Sequence, residues 1–256
     1  FFFATITVLP LALYFERNNF AKIFSNSKLL ILTITTGIFL FLGMGLQQYA
    51  LQVSQISNVA FITTLYVPIV GIISRFVFKS QLHWIIWIAI LLCVLGSYLL
   101  SSNQSIEIQQ SDSLIFIAAF CFAVHIILID VFMKQFNSPL TYGTIQYFIV
   151  FLISLFIAGI YESPTLQNIS FEWFEILYTG VLSAGLGYTL QIIAQRKASP
   201  APAAIILSME GVFATIAGWL LINQTLDLNK FLGCLAIFTG VIIVQLLPIF
   251  KKTNDR

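Results

Sequence analysis

Residues 199–221 read SPAPAAIILSMEGVFATIAGWLL. As a helix rising about 1.5 Å per residue, this run is long enough to cross the roughly 30 Å hydrocarbon core of a bilayer. Pro200 and Pro202 stand at its start, where a helix tolerates them because the first N–H groups have no intrahelical acceptor. Near its middle lies an acid, Glu210. An ionised carboxylate at the bilayer centre costs about 2.5–3.5 kcal/mol on insertion scales, so such a residue is expected to face a cavity or a partner.

The composition fits that reading. Of 256 residues, 59% are hydrophobic and 9% charged, and the mean hydropathy is +0.97. A soluble domain carries roughly 25% charged residues, so a polytopic membrane protein is implied. A net charge of +2 without a basic, aromatic-interleaved patch excludes a nucleic-acid partner. Cys93, Cys121 and Cys234 lie within apolar runs with no CxxC spacing and read as packing residues. The chain opens on FFFATITVLP, inside a hydrophobic segment and without an initiating Met, so a segment is expected upstream.

Apolar runs fall near 1–14, 29–49, 57–78, 84–101, 113–133, 140–160, 174–194, 202–222 and 231–250. They lack the alternation of barrel strands, and lipid leaves open backbone groups unsatisfied, so helices are expected: eight complete spans and one partial span. Eleven of the twelve Lys and Arg fall in loops on one side, and only Lys230 lies opposite. The positive-inside rule makes the crowded side cytoplasmic. The opposite loops carry Glu107, Asp112, Glu162, Glu172, Glu175 and Asp227.

A shift of 143 residues lays Gln48 on Gln191, Ala60 on Ala203 and Gln81 on Gln224; a one-residue slip then lays Leu82 on Leu226 and Gly96 on Gly240. That shift spans five helices, an odd number, so the two copies must be inserted in opposite orientations. The expected architecture is all-α, with two inverted five-helix repeats at 1–101 and 112–252, divided by the polar stretch from Ser101 to Asp112. Extending the shift backwards places a first helix, and part of the second, before Phe1.

YALQVSQISNVAFITTLYVPIVGIISRFVF (49–78), a polar turn and WIAILLCVLGSYLL (87–100) resemble the first repeat of the EamA-like transporters of the drug/metabolite transporter superfamily. QIIAQRKASPAPAAIILSMEGVFATIAGWLLINQTL (191–226) with FLGCLAIFTGVII (231–243) resembles the second. The resemblance implies a ten-helix inner-membrane carrier with cytoplasmic termini and a central cavity lined by the first four helices of each repeat. It also implies that the fifth helices are peripheral and linked to homodimerisation. Where the family commonly has Glu followed by Pro, this chain has Glu210 and Gly211; the first repeat has Val67 and Pro68 there.

Glu210 reads either as a proton-coupling or substrate-binding carboxylate or as a neutral acid fixing helix packing. His125, one turn beyond Cys121, reads as a proton relay or substrate contact, or as a buried imidazole satisfied by a carbonyl. Ser208 offers a hydroxyl or interhelical glue. Asp130 and Lys134 stand at i,i+4 spacing and are expected to pair. Gln48 and Tyr66, with Gln146, Tyr188 and Gln191, read either as amides and phenols that orient a polar substrate without burying a charge or, taken singly, as packing residues and interfacial anchors. No metal-ligand spacing, cofactor fingerprint or catalytic motif is present, so no cofactor and no enzymatic activity are expected.

The reading that follows is a gradient-driven secondary transporter, an exporter of small organic metabolites such as amino acids or drugs, working by alternating access with a proton as coupling ion. An uptake carrier of the same fold and a non-transporting membrane scaffold are the alternatives.

Overall fold

In a lipid environment each apolar run satisfies its backbone only by bonding to itself, and the apolar runs among the described residues do so as helices. The computed structural model describes residues 1–101, 112–161 and 170–254, and no strand occurs among them. The expected divide between repeats, Glu107, Glu162 and Arg256 lie wholly or mainly outside the described residues. The helices are α1 (Phe2–Phe15), α2 (Arg17–Ser25), α3 (Ser27–Val53), α4 (Ile56–Thr64), α5 (Tyr66–Phe76), α6 (Trp84–Ser101), α7 (Asp112–Gln135) and α8 (Pro139–Tyr161). After these come α9 (Trp173–Tyr178), a π-helical segment (Thr179–Gly187), α10 (Tyr188–Gln195), α11 (Pro200–Leu207), α12 (Met209–Ile222) and α13 (Leu228–Asn254).

Among the described residues, eight stretches are long and apolar enough to cross a membrane, including the composite spans Ile56–Phe76, Trp173–Gln195 and Pro200–Leu221; α1 is a shorter apolar helix. These are the eight complete spans that hydropathy led one to expect.

The chain divides into two compact units, Phe1–Leu42 with Leu128–Lys197, and Gly43–Ile127 with Ala198–Arg256. Each unit draws on sequence from both sides of the 101–112 stretch, and α3 and α7 each contribute to both.

In the first unit α1 packs on α8 and on the π segment. Small residues permit the approach: a Cβ added at Gly180 would stand 2.7 Å from Phe3 Cβ. The ring of Tyr142 stacks on Phe132 at 4.0 Å, and its hydroxyl donates to Thr36 Oγ1 at 2.7 Å. Lys134 Nζ meets Asp130 Oδ2 at 2.7 Å, the pair expected from their spacing.

The same unit holds an acid that sequence reading passed over. Glu16, at the break between α1 and α2, accepts from Ser138 Oγ (2.6 Å), the Thr141 amide (2.8 Å) and hydroxyl (3.0 Å) and the Leu140 amide (3.3 Å). Helix α8 opens with Ser138-Pro139-Leu140-Thr141, and its first amides have no intrahelical acceptor. The Glu16 carboxylate therefore caps α8 from another element, where the helix dipole also favours negative charge.

In the second unit the dominant packing is α6 against α13. A Cβ at Gly96 would stand 2.7 Å from the Gly233 carbonyl, and one at Gly240 would stand 3.1 Å from the Ala89 carbonyl. Gly96 and Gly240 are 144 positions apart, and so are Ala89 and Gly233. The contact is thus reciprocal, as across a two-fold interface.

A second feature recurs at that offset. Lys79 and Asn223, both with φ of 52°, end the Ile56–Phe76 and Pro200–Leu221 spans in the left-handed region, and they are the only non-glycine residues with positive φ among those described. The Ser80 amide bonds the Ser74 carbonyl at 3.0 Å, and the Gln224 amide bonds the Gly218 carbonyl at 3.1 Å, so in both places the residue after the left-handed one closes on a carbonyl six positions back. The backbone therefore sets Gln224 against Ser80, and the one-residue slip falls earlier than the Gln81–Gln224 match had placed it.

Candidate functional site

Two spans of the second unit are broken in their middles. Helices α4 and α5 meet at Leu65, α11 and α12 at Ser208, and these two residues are 143 positions apart. At the first break the cause is Pro68, which has no N–H to give the Thr64 carbonyl. The Leu65 amide instead reaches back three residues to Ile62 at 3.0 Å. At the second break there is no proline. The Ser208 Oγ lies 2.6 Å from the Ile205 carbonyl, which accepts its proton, and 3.3 Å from Cys93 Sγ. Back-bonding of this kind bends helices, and the Gly211 amide closes on the Ser208 carbonyl at 3.2 Å in a three-residue turn. Ser208 thus serves the backbone and the contact with α6. Gly211 is not tightly packed, since a Cβ there would meet Leu100 at an ordinary 3.4 Å.

The breaks divide each span into halves that behave differently. On the side where Arg75 closes α5 and Lys79 follows it, α5 packs against α11. Ala201, Ala203 and Ala204 are buried there, and the Tyr66 hydroxyl donates a long 3.5 Å bond to the Ala204 carbonyl. On the other side the half-helices α4 and α12 line a cavity of about 540 Å³. Helix α4 gives Ile56, Ser57 and Ala60, and α12 gives a small-residue face of Gly211, Ala214, Ala217 and Gly218; α6 gives Leu100 and Ser101, so this cavity differs from the expected one in being lined also by helices that the resemblance made peripheral. Thr215, Gln224 and Lys230 add polar groups. The volume falls within the range of small-ligand sites.

Glu210 is two residues beyond the Ser208 break and exposed. It lies at i−4, i−7 and i−11 from Ala214, Ala217 and Leu221, which puts it on the helical face that lines the cavity, one turn nearer the break. Among the described residues it makes no hydrogen bond and no ion pair. Tyr66 opens α5 next to the other break and is buried. His125 is also in this unit, 1% exposed, with Cys121 buried one turn earlier. Gln48 is exposed on α3, while its neighbour Gln47 donates to Thr63 Oγ1 at 3.3 Å.

The remaining candidates belong to the first unit. Gln146 is fully buried on α8, and Tyr188 and Gln191 are half-buried on α10. A 3.0 Å contact between the Tyr147 and Thr189 hydroxyls joins α8 to α10, and Gln191 Nε2 donates to Gln195 Oε1 at 3.4 Å. The seven candidates are thus sorted into two groups. Gln48 and Gln191, matched by the repeat, fall in different units. Sequence reasoning missed Ser57, Ser101, Thr215, Gln224 and Lys230 as cavity residues. Lys230 carried a signal, as the single base on its side of the membrane.

Helices of this length, breaks in mid-span and a cavity beside them define an all-α, multi-pass integral membrane protein. The model of the EamA-like transporter family matches residues 1–102 and 109–246, and the chain belongs to that family. It is 29% identical over 210 residues to an uncharacterised transporter of Archaeoglobus fulgidus, covering 82% of this chain and 67% of that one. It is 28% identical over 132 residues to a WAT1-related protein of Arabidopsis thaliana, covering 50% of this chain and 35% of the other. A solved crystal structure shares the fold with a TM-score of 0.78 at 12% identity, over 96% of this chain and 84% of that one.

Proposed function

We propose that this protein is a gradient-driven secondary transporter that exports small organic metabolites, amino acids or related compounds, by alternating access between two inverted repeats. The observation that carries the reading is the pair of mid-span breaks at Leu65 and Ser208, with packed half-helices on one side and a cavity on the other. Interrupted helices at matching places in two halves are the usual pointer to a transporter's binding site. The reciprocal glycine contacts and the recurrent left-handed caps support the repeat. Positive-inside orientation puts the Arg75 side in the cytoplasm of a bacterial-type inner membrane and the cavity at the outer face.

In this reading Glu210 is the coupling carboxylate. It lies at the level where the closed and open halves meet, and a proton taken up there removes the charge that would oppose passage of the span through apolar surroundings. A gradient supplies the energy, since no catalytic or nucleotide-binding signature is present.

The test is flux of a metabolite panel in proteoliposomes holding the full chain, with Glu210→Gln beside Val67→Ala. Val67 is the repeat counterpart of Glu210 and has no charge to lose. The reading expects Glu210→Gln to cut proton-dependent flux by about tenfold or more, equivalent to about 1.4 kcal/mol, and Val67→Ala to change it less than about twofold. Equal effects at the two positions would remove Glu210 from the mechanism.

A further inference from the structure

Lys230 stands opposite the other eleven bases, so it contributes nothing to the orientation signal and calls for a different explanation. It is half-buried at the start of α13 and lines the 540 Å³ cavity. Its Nζ donates to the Thr225 carbonyl at 2.9 Å, which uses one of three protons. No carboxylate lies within ion-pair distance of it among the described residues. The nearest acid in sequence, Asp227, spends Oδ1 on the Lys230 main-chain amide at 2.9 Å.

The rest of the cavity is graded along its length. Ser57 is the second residue of α4, Ser101 the last of α6, and Gln224 and Lys230 flank the turn between α12 and α13, so these four polar groups gather at one end; Thr215, midway along α12, spends its hydroxyl proton on the Gly211 carbonyl at 2.8 Å. Towards the break the wall is Gly211, Ala214 and Ala217, small and apolar. Beyond that wall comes Glu210, whose charge disfavours an anion at the inner end.

We propose that this cavity binds a small amphipathic carboxylate, its anionic group at Lys230 and Gln224 and its apolar body along Gly211, Ala214 and Ala217. The site's role as the outer station of a transport path rests on the transporter reading; the binding itself does not. The occupant is a solute, not a lipid.

The experiment uses the full chain in nanodiscs of phosphatidylcholine and three probes of matched shape: 3-phenylpropionate, 3-phenylpropionamide and 3-phenylpropylamine. Binding is read by calorimetry and by the fluorescence of Trp219, which adjoins Gly218 on α12. The acid is expected to bind at least about tenfold more tightly than the amide or the amine. Lys230→Gln is expected to erase that preference while leaving amide binding as it was, and Lys230→Arg to keep it. Ala217→Leu, which fills the cavity, should weaken all three probes. Equal binding of the three probes, or an acid preference that survives Lys230→Gln, overturns the proposal. So does displacement of the acid when phosphatidylglycerol replaces part of the phosphatidylcholine, which would mark a lipid site. Gradient-driven flux without the acid preference would sink this inference and leave the transporter reading standing; Lys230-dependent acid binding with no flux of any solute would do the reverse.

Discussion

Two carboxylates decide most at the scale of single residues, and only one was legible in the sequence. Glu210 announces itself because an acid inside an apolar run has no ordinary reason to be there. Glu16 sits among Arg17, Lys22 and Lys28 at a loop, where an acid attracts no notice, and its partners are more than a hundred positions away. Its four bonds to the start of α8 should make it structural. Glu16→Ala is expected to lower stability by about 1.5–3 kcal/mol, the range for hydrogen bonds to a charged group, with Glu16→Gln losing less. Thermal unfolding of the detergent-solubilised protein measures this, and an unchanged midpoint in both variants would mean that α8 is capped without Glu16. The polar candidates fared unevenly for the same reason: residue type tells what a side chain can do, while the fold decides which of them meet. Tyr66 and Glu210 came to flank the two breaks, whereas Gln48 and Gln191 were parted.

Among the elements, the spans could be read from hydropathy almost to their ends, but their breaks could be read only where proline made one. Pro68 accounts for the interruption at Leu65, because the missing N–H leaves the Thr64 carbonyl without its helical donor. Ser208 predicts nothing by itself, since serine is common in membrane helices and bends them only when its hydroxyl turns back to a carbonyl. If the break matters for movement and not for folding, Pro68→Ala should restore the backbone bond, leave the unfolding midpoint equal or higher, and reduce flux several-fold. Flux at the parental level would show that the interruption is incidental. The α6–α13 contact makes the opposite demand. Gly233→Leu would drive a side chain into the Gly96 carbonyl and Leu100, where overpacking costs typically about 1–3 kcal/mol, and the lower midpoint should appear in detergent without any transport assay. An unchanged midpoint would mean that the helices separate easily.

For the whole molecule, the membrane class, the eight spans and the family were legible because lipid imposes one backbone solution and composition reports it directly. The interleaving of the sequence in two compact units was not, because hydropathy records that a helix meets lipid or protein but not which helix it meets. Nor was the exact place of the one-residue slip, which the caps at Lys79 and Asn223 fixed through backbone hydrogen bonds that carry no side-chain signature. The transport proposed for this fold is movement of small solutes down or against a gradient. Its most direct test is flux of a panel of small organic metabolites in proteoliposomes holding the full chain, with an imposed proton gradient and no nucleotide. The expected result is flux of at least one compound that collapses with the gradient and falls about tenfold in Glu210→Gln. Flux no greater than in protein-free vesicles for every compound, from a folded full chain, would contradict it.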